Sequence, residues 1–164
     1  MSTRIPVALF GFLGVAFLAG CSSDRNGGDG DEAREQRVAM SDLPAPARAT
    51  AERLTAGGKI EKIDKETEKG RTVYDVEAEV GGKHVEYTIA ADGAVLGDET
   101  AIEWKDLPAA VQAAAETFFG TSTGLAPSAV NEEGKTVYEI EGKKNGKKVA
   151  ATFDASGKLL EEED

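Results

Sequence analysis

Asp75 and Glu77, and again Glu139 and Glu141, are acids spaced two apart in stretches where apolar residues fill the alternate positions. On a β-strand that spacing puts both carboxylates on one face, where they either take a divalent cation through oxygen ligands or stand solvated. Beyond them lies "KKNGKK", whose Lys143 and Lys148 make a basic tip in an acidic chain. It reads either as a contact for an acidic partner or lipid headgroups, or as lysines that protect a strand edge. The rest of the chemical inventory is thin. Cys21 is the single cysteine and His84 the single histidine, so a Cys/His zinc site has no material. No Ser or Thr shares a recognisable motif with a base, which leaves a hydrolase triad unsupported. "DRNGGDGDE", from Asp24, has the composition of a calcium loop but lacks the glutamate at the required spacing. The chain is therefore read as a non-enzyme with no cofactor and no assigned metal site. Its candidate surface is a partner-binding sheet face made by Asp75, Glu77, Glu139, Glu141, Lys143 and Lys148.

The elements that must position these residues occur twice. Asp42–Glu99 aligns with Asp106–Glu163 at a constant offset of 64 without a gap, and 21 of the 58 positions are identical. Each segment opens with Asp-Leu-Pro, read as an Asp N-cap with Pro in the first turn of a helix. The helices are expected to run to about Thr55 and Phe119 and to end at Gly57-Gly58 and Gly120. A hairpin follows. Asn145-Gly146 is a strong type I′ signal, and registering the strands on it pairs Gly142 with Val149, Ile140 with Ala151 and Tyr138 with Phe153. In the first copy Gly81-Gly82 pairs Ala78 with Val85, Val76 with Tyr87 and Tyr74 with Ile89. All of these fall on one face, and the acids fall on the other, solvated face. A short last strand is expected at Ala94–Gly97 and at Lys158–Glu161, and an earlier one at Lys59–Lys65. The counterpart near Leu125–Asn131 contains Pro127 and is read as an edge strand or a loop. The expected fold class is α+β, a tandem repeat of one helix followed by a three- or four-stranded antiparallel sheet, with the helices on one sheet face. Trp104, just before the second Asp-Leu-Pro, is expected either between the units or stapled to the second helix.

The beginning of the chain carries an address. Arg4 precedes an apolar run from Ile5 to Ala19, and Leu18-Ala19-Gly20-Cys21 closes it. That is the pattern of a secretory signal peptide. Its end resembles the bacterial lipobox, in which the leader is cut before the cysteine and Cys21 becomes acylated. A retained helix is the alternative; the run is short for a bilayer and contains Pro6. Ser22 after the cysteine resembles lipoproteins sorted to the outer membrane. Residues 22–37 form a Gly- and Asp-rich tether. The organisation is thus 1–21 leader, 22–37 tether, 38–99 first repeat and 100–164 second repeat. Without the leader, 18 cationic side chains face 30 acids, a net charge of −12. Such a charge disfavours nucleic acid, and the expected location is the periplasmic side of the envelope, held to lipid through Cys21.

The D-L-P helix, the hairpin "YEIEGKKNGKKVAATFD" and the D-x-x-G turn together resemble the PepSY-like domain of bacterial exported proteins. That family is also described as β-lactamase-inhibitor-like. The resemblance spans about residues 38–164 in two copies. It implies helix-on-sheet modules with one free sheet face, a partner among exported peptidases or other envelope enzymes, and no catalytic motif. The chain departs from the inhibitor in having no cysteine after Cys21, and so no disulfide within the fold. It is also poor in the aromatics that usually anchor an interface.

Overall fold

The computed structural model describes residues 35–68, 70–132 and 134–163. The leader, the lipobox with Cys21 and residues 22–34 of the tether lie outside the described residues. The chain runs β1 (Gln36–Arg37), α1 (Ala45–Leu54), β2 (Lys59–Glu68), β3 (Arg71–Val80), β4 (Lys83–Ala90) and β5 (Val95–Ala101). It continues with α2 (Ala109–Phe119), β6 (Ala126–Glu132), β7 (Lys135–Lys144), β8 (Lys147–Phe153) and β9 (Leu159–Glu163).

Both hairpins close as their turn residues require. Asn145 has φ 54° and Gly146 φ 82°, the two positive values of a type I′ turn. The expected pairs are present, with Tyr74 opposite Ile89, Val76 opposite Tyr87 and Ala78 opposite Val85. Tyr138 likewise faces Phe153, and Ile140 faces Ala151. These residues form two cores. Leu43, Ala47 and Ala51 from the α1 side meet Ile63, Tyr74, Val76 and Ile89. Leu107, Val111, Ala115 and Phe119 meet Ile140, Val149, Ala151 and Phe153. One cross-strand row, Val85–Thr100–Ala129–Tyr138–Phe153, joins the two apolar patches, so α1 and α2 cover the same face.

The expectation of a tandem of small separate sheets is overturned. Among the described residues, nine strands make one antiparallel sheet in the order β1 to β9, with two α-helices packed on it. The seam is the pairing of β5 with β6, from Gly97 opposite Glu132 to Ala101 opposite Ser128. A separate first sheet would leave the outer N–H and C=O groups of β5 unpaired, and β6 satisfies them. Consequently β6 is internal, not an edge or a loop. Pro127 is tolerated near its start, beyond the last β5 pair, where its carbonyl accepts from Ile102 N at 3.0 Å. β5 also extends past the expected Gly97 to Ala101.

One further expectation is corrected, and one pair of alternatives is decided. The α-helices begin after Pro44 and Pro108, with no side-chain cap. Leu43 and Leu107 precede proline and are held extended, at ψ 142° and 145°. Asp42 therefore ends a 3-10 turn, where its Oδ2 accepts from Ala39 N at 2.9 Å. Trp104 packs against the second core, and its carbonyl accepts from Gln112 Nε2 at 3.1 Å. It thereby serves α2 rather than a boundary between units.

Candidate functional site

The face of the sheet without helices carries the acids. Alternation and pairing place Asp64 opposite Asp75 and Lys62 opposite Glu77. Asp75 then faces Thr88, and Glu77 faces Glu86. Glu86 in turn faces Glu99. Across the seam Ser128 lies opposite Glu139 and Ala126 opposite Glu141. Glu161 and Glu163 complete the face on β9, opposite Thr152 and Ala150. Merging the sheets thus gathers two sets of acids, remote in sequence, on one surface. The effect reaches across the seam, since Glu99 raises the proton affinity of Glu139 and Glu141 raises that of Glu99.

This face is not uniformly solvated, as simple alternation implied. Asp64 is 3 % exposed, Glu86 6 % and Glu139 7 %, and Thr88 and Thr152 are buried beside them. Asp75, Glu77 and Glu99 are half-buried, while Glu141, Lys143 and Lys148 are exposed. Burial penalises charge, and like-charged neighbours add to the penalty. Burial, followed by Asp75, Glu77 and Glu99, pushes the Glu86 carboxyl up to about 9. Burial, Glu99 and Glu141 push Glu139 up to about 7. Burial raises Asp75 to about 6 against the opposing hydrogen bond that Thr88 Oγ1 donates at 2.7 Å.

One cation is built into the face. Lys62 Nζ lies 2.6 Å from Asp64 Oδ2, 2.8 Å from Glu35 Oε1 and 3.2 Å from Glu77 Oε1. Burial works against its charge, but the bonds to Asp64, Glu35 and Glu77 outweigh it and hold the ammonium well above the ordinary lysine range. At the far end Lys143 and Lys148 face each other beside the Asn145-Gly146 turn. Lys144 points to the helix side, 2.9 Å from Glu162 Oε1 and 3.5 Å from the centre of the Phe118 ring. His84 sits at the hairpin mouth of β4 with Nδ1 3.6 Å from Glu61 Oε2.

The structure therefore brings Asp75, Glu77, Glu139 and Glu141 to one face, with Lys143 and Lys148 at its rim. Glu99, Asp64 and Lys62 belong to the same face without any sequence signal that marks them, and Glu86 joins them as its alternation places it. The signal was present at Glu86, which alternates with Val85 and Tyr87, but its neighbour Glu99 sits in a strand whose length was underestimated. Among the described residues, Glu66, Glu68 and Asp75 bring carboxylate oxygens within 4.8 Å of one another, a spacing that a divalent cation could bridge. No helix among the described residues is long and apolar enough to cross a membrane.

Known proteins agree with this architecture. Residues 45–99 match PepSY, the peptidase propeptide and YPEB domain. The PepSY match runs from the first residue of α1 into β5, and so holds the central acids Asp75, Glu77, Glu86 and Glu99. The fold is shared with a BLIP-like protein of Bacteroides fragilis, 22 % identical, with a TM-score of 0.55 over 74 % of this chain and 86 % of that one. It is shared also with a DUF2874 family protein of Bacteroides ovatus, 13 % identical, TM-score 0.56, over 74 % and 86 % of the two chains. A provisionally periplasmic protein of Bacteroides eggerthii, 18 % identical, gives a TM-score of 0.59 over 74 % and 88 %. No curated protein sequence matches the chain.

Proposed function

We propose that the chain is an exported, lipid-anchored, non-enzymatic module that docks a protein partner on the acidic face of its sheet. The observation that carries this reading is the face itself, nine strands wide and, among the described residues, bare of helices, with acids from β2 to β9. A buried array of acids costs stability unless its carboxyls keep their protons or cations neutralise them, and a partner's cations can do so. The PepSY match and the BLIP-like fold point to an exported peptidase or another envelope enzyme as partner. In this reading residues 1–21 are a lipoprotein leader, Cys21 carries the acyl chains, and the segment read as a 22–37 tether, whose last residues Gln36–Arg37 join the sheet as β1, holds the fold to the periplasmic side of the envelope, more readily the outer membrane. Residues 38–99 and 100–164 derive from one duplicated unit whose copies fused their sheets, which enlarged the docking surface rather than adding a second site.

Capture from envelope extract with the full chain in detergent tests the proposal. A partner retained stoichiometrically should be lost about tenfold or more when Glu139 and Glu141 are both changed to lysine, because like charge then meets the partner's cations. Equal capture by the double variant refutes the docking role of this face.

The cluster of Glu66, Glu68 and Asp75 supports a second reading, an acidic cation-binding envelope lipoprotein. It predicts that millimolar calcium raises the thermal midpoint, that chelator reverses the rise, and that Asp75→Asn abolishes it. A midpoint indifferent to calcium removes it.

A further inference from the structure

We propose that the centre of the uncovered face, at Glu86 between Glu77 and Glu99, seats a single arginine side chain presented by a protein partner. The inference rests on the docking role proposed above and names the chemistry of the contact. One cross-strand row carries the argument. Running from β2 to β7 it reads Lys62, Glu77, Glu86, Glu99, Val130, Val137. At one end the chain supplies its own cation, since Lys62 reaches Asp64, Glu35 and Glu77. In the middle it supplies none. Glu86 Oε2 is buried without a hydrogen-bond partner. The groups that face Glu86 are Glu77 from β3 and Glu99 from β5, with Asp75 on the diagonal. Lys62 is the cation that acts on Glu86, and it is already engaged by three carboxylates. A buried carboxylate oxygen with no donor needs either a proton or an external cation.

The surroundings select the kind of cation. Beyond Glu99 the row ends in the half-buried Val130 and Val137, which would cover an aliphatic stem while the charged head reaches the acids. A guanidinium, flat and carrying five donors, can bridge carboxylates on adjacent strands. The closely spaced carboxylates that suit a small hydrated ion are Glu66, Glu68 and Asp75, and Glu86 is not among them. The proton affinity of Glu86 gives the contact a signature. With its carboxyl near 9 it is protonated at neutral pH, and an arriving arginine displaces that proton to solvent.

The probe is the blocked peptide Gly-Gly-Arg-Gly-Gly, titrated at neutral pH into the full chain in detergent and followed by backbone and Glu side-chain carboxyl NMR. The expected result is a single saturable site, with shifts confined to β3–β6 around Glu77, Glu86, Glu99 and Val130. The Glu86 carboxyl should move from its protonated to its ionised position. Replacing the arginine with neutral citrulline, or Glu86→Gln in the protein, should weaken binding about tenfold or more. Glu86→Gln replaces a protonated carboxyl with a neutral group of the same shape, so the fold should persist. Shifts spread over all the acids, binding undiminished in the glutamine variant, or a peptide displaced stoichiometrically by calcium would each overturn the proposal. Capture of a partner that depends on Glu139 and Glu141, with no peptide seat at Glu86, would overturn this inference and leave the docking role intact.

Discussion

Raising the pH from about 5 to about 9 should lower the thermal midpoint of this protein by about 10 °C, through a loss of a few kcal/mol. Glu86, Glu139 and Asp75 have carboxyls raised to about 9, 7 and 6, from ordinary values of 4.5, 4.5 and 3.8. An acid with a raised pKa keeps its proton in the folded chain after the unfolded chain has shed it. Between the two values the unfolded state binds fewer protons, so stability falls as pH rises. For Asp75 the loss runs from about 4 to 6, for Glu139 to about 7, and for Glu86 to about 9. Glu35 has the opposite sign. Its hydrogen bond to Lys62 lowers its pKa, so its contribution fades in acid and the optimum should sit near pH 5. Glu86→Gln should raise the midpoint at pH 8 and reduce the slope above pH 7, because the Glu86 carboxyl is pushed up to about 9. Melting curves recorded across this range by circular dichroism decide the matter. An optimum near pH 8, or a variant with the parent's slope, would show that the buried acids do not titrate as their surroundings require.

Gly157→Ala should destabilise the fold by about 3 kcal/mol, whereas Gly146→Ala should cost about 1. Both glycines have φ 82°, and both follow a strand in a tight turn. They differ in what lies above them. A Cβ on Gly146 meets nothing within 4 Å, so its cost is that of the left-handed conformation alone. A Cβ on Gly157 would run into the Ala110 carbonyl and the Ala114 side chain, at the start of α2. The turn cannot yield easily, because Asp154 Oδ1 accepts from Ser156 N at 2.9 Å and Lys158 N at 3.1 Å. α2 must then lift from the sheet and loosen Val111 and Ala115, both fully buried. Gly93 repeats the arrangement against Pro46 on α1, where Thr50 Oγ1 also donates to the Gly93 carbonyl at 2.9 Å. Urea unfolding of the two alanine variants measures the difference. Equal midpoints would show that the turn does not bear on the helix.

Local chemistry made some of this protein legible in its residues. Asn145-Gly146 and the alternation around it determined the hairpin register, because a slip of one residue would bury acids beneath the helices. The Leu-Pro pair misled about the cap, since the residue before proline cannot be helical and the helix starts later than the aspartate. Pro127 misled about β6, because a missing N–H matters only where a neighbour would have used it, and that depends on which strand lies alongside.

By itself, then, the sequence determined the helices, the two hairpins and the side of each strand on which its acids stand, all set by interactions within a few residues or across a tight turn. Only the tertiary structure decided that β5 and β6 pair, that the acids of both halves therefore share one face, and that Glu86 and Glu139 are buried in it. The reason is that hydrogen-bonding capacity at a sheet edge and the burial of a side chain depend on neighbours distant in the chain, which local pattern does not encode.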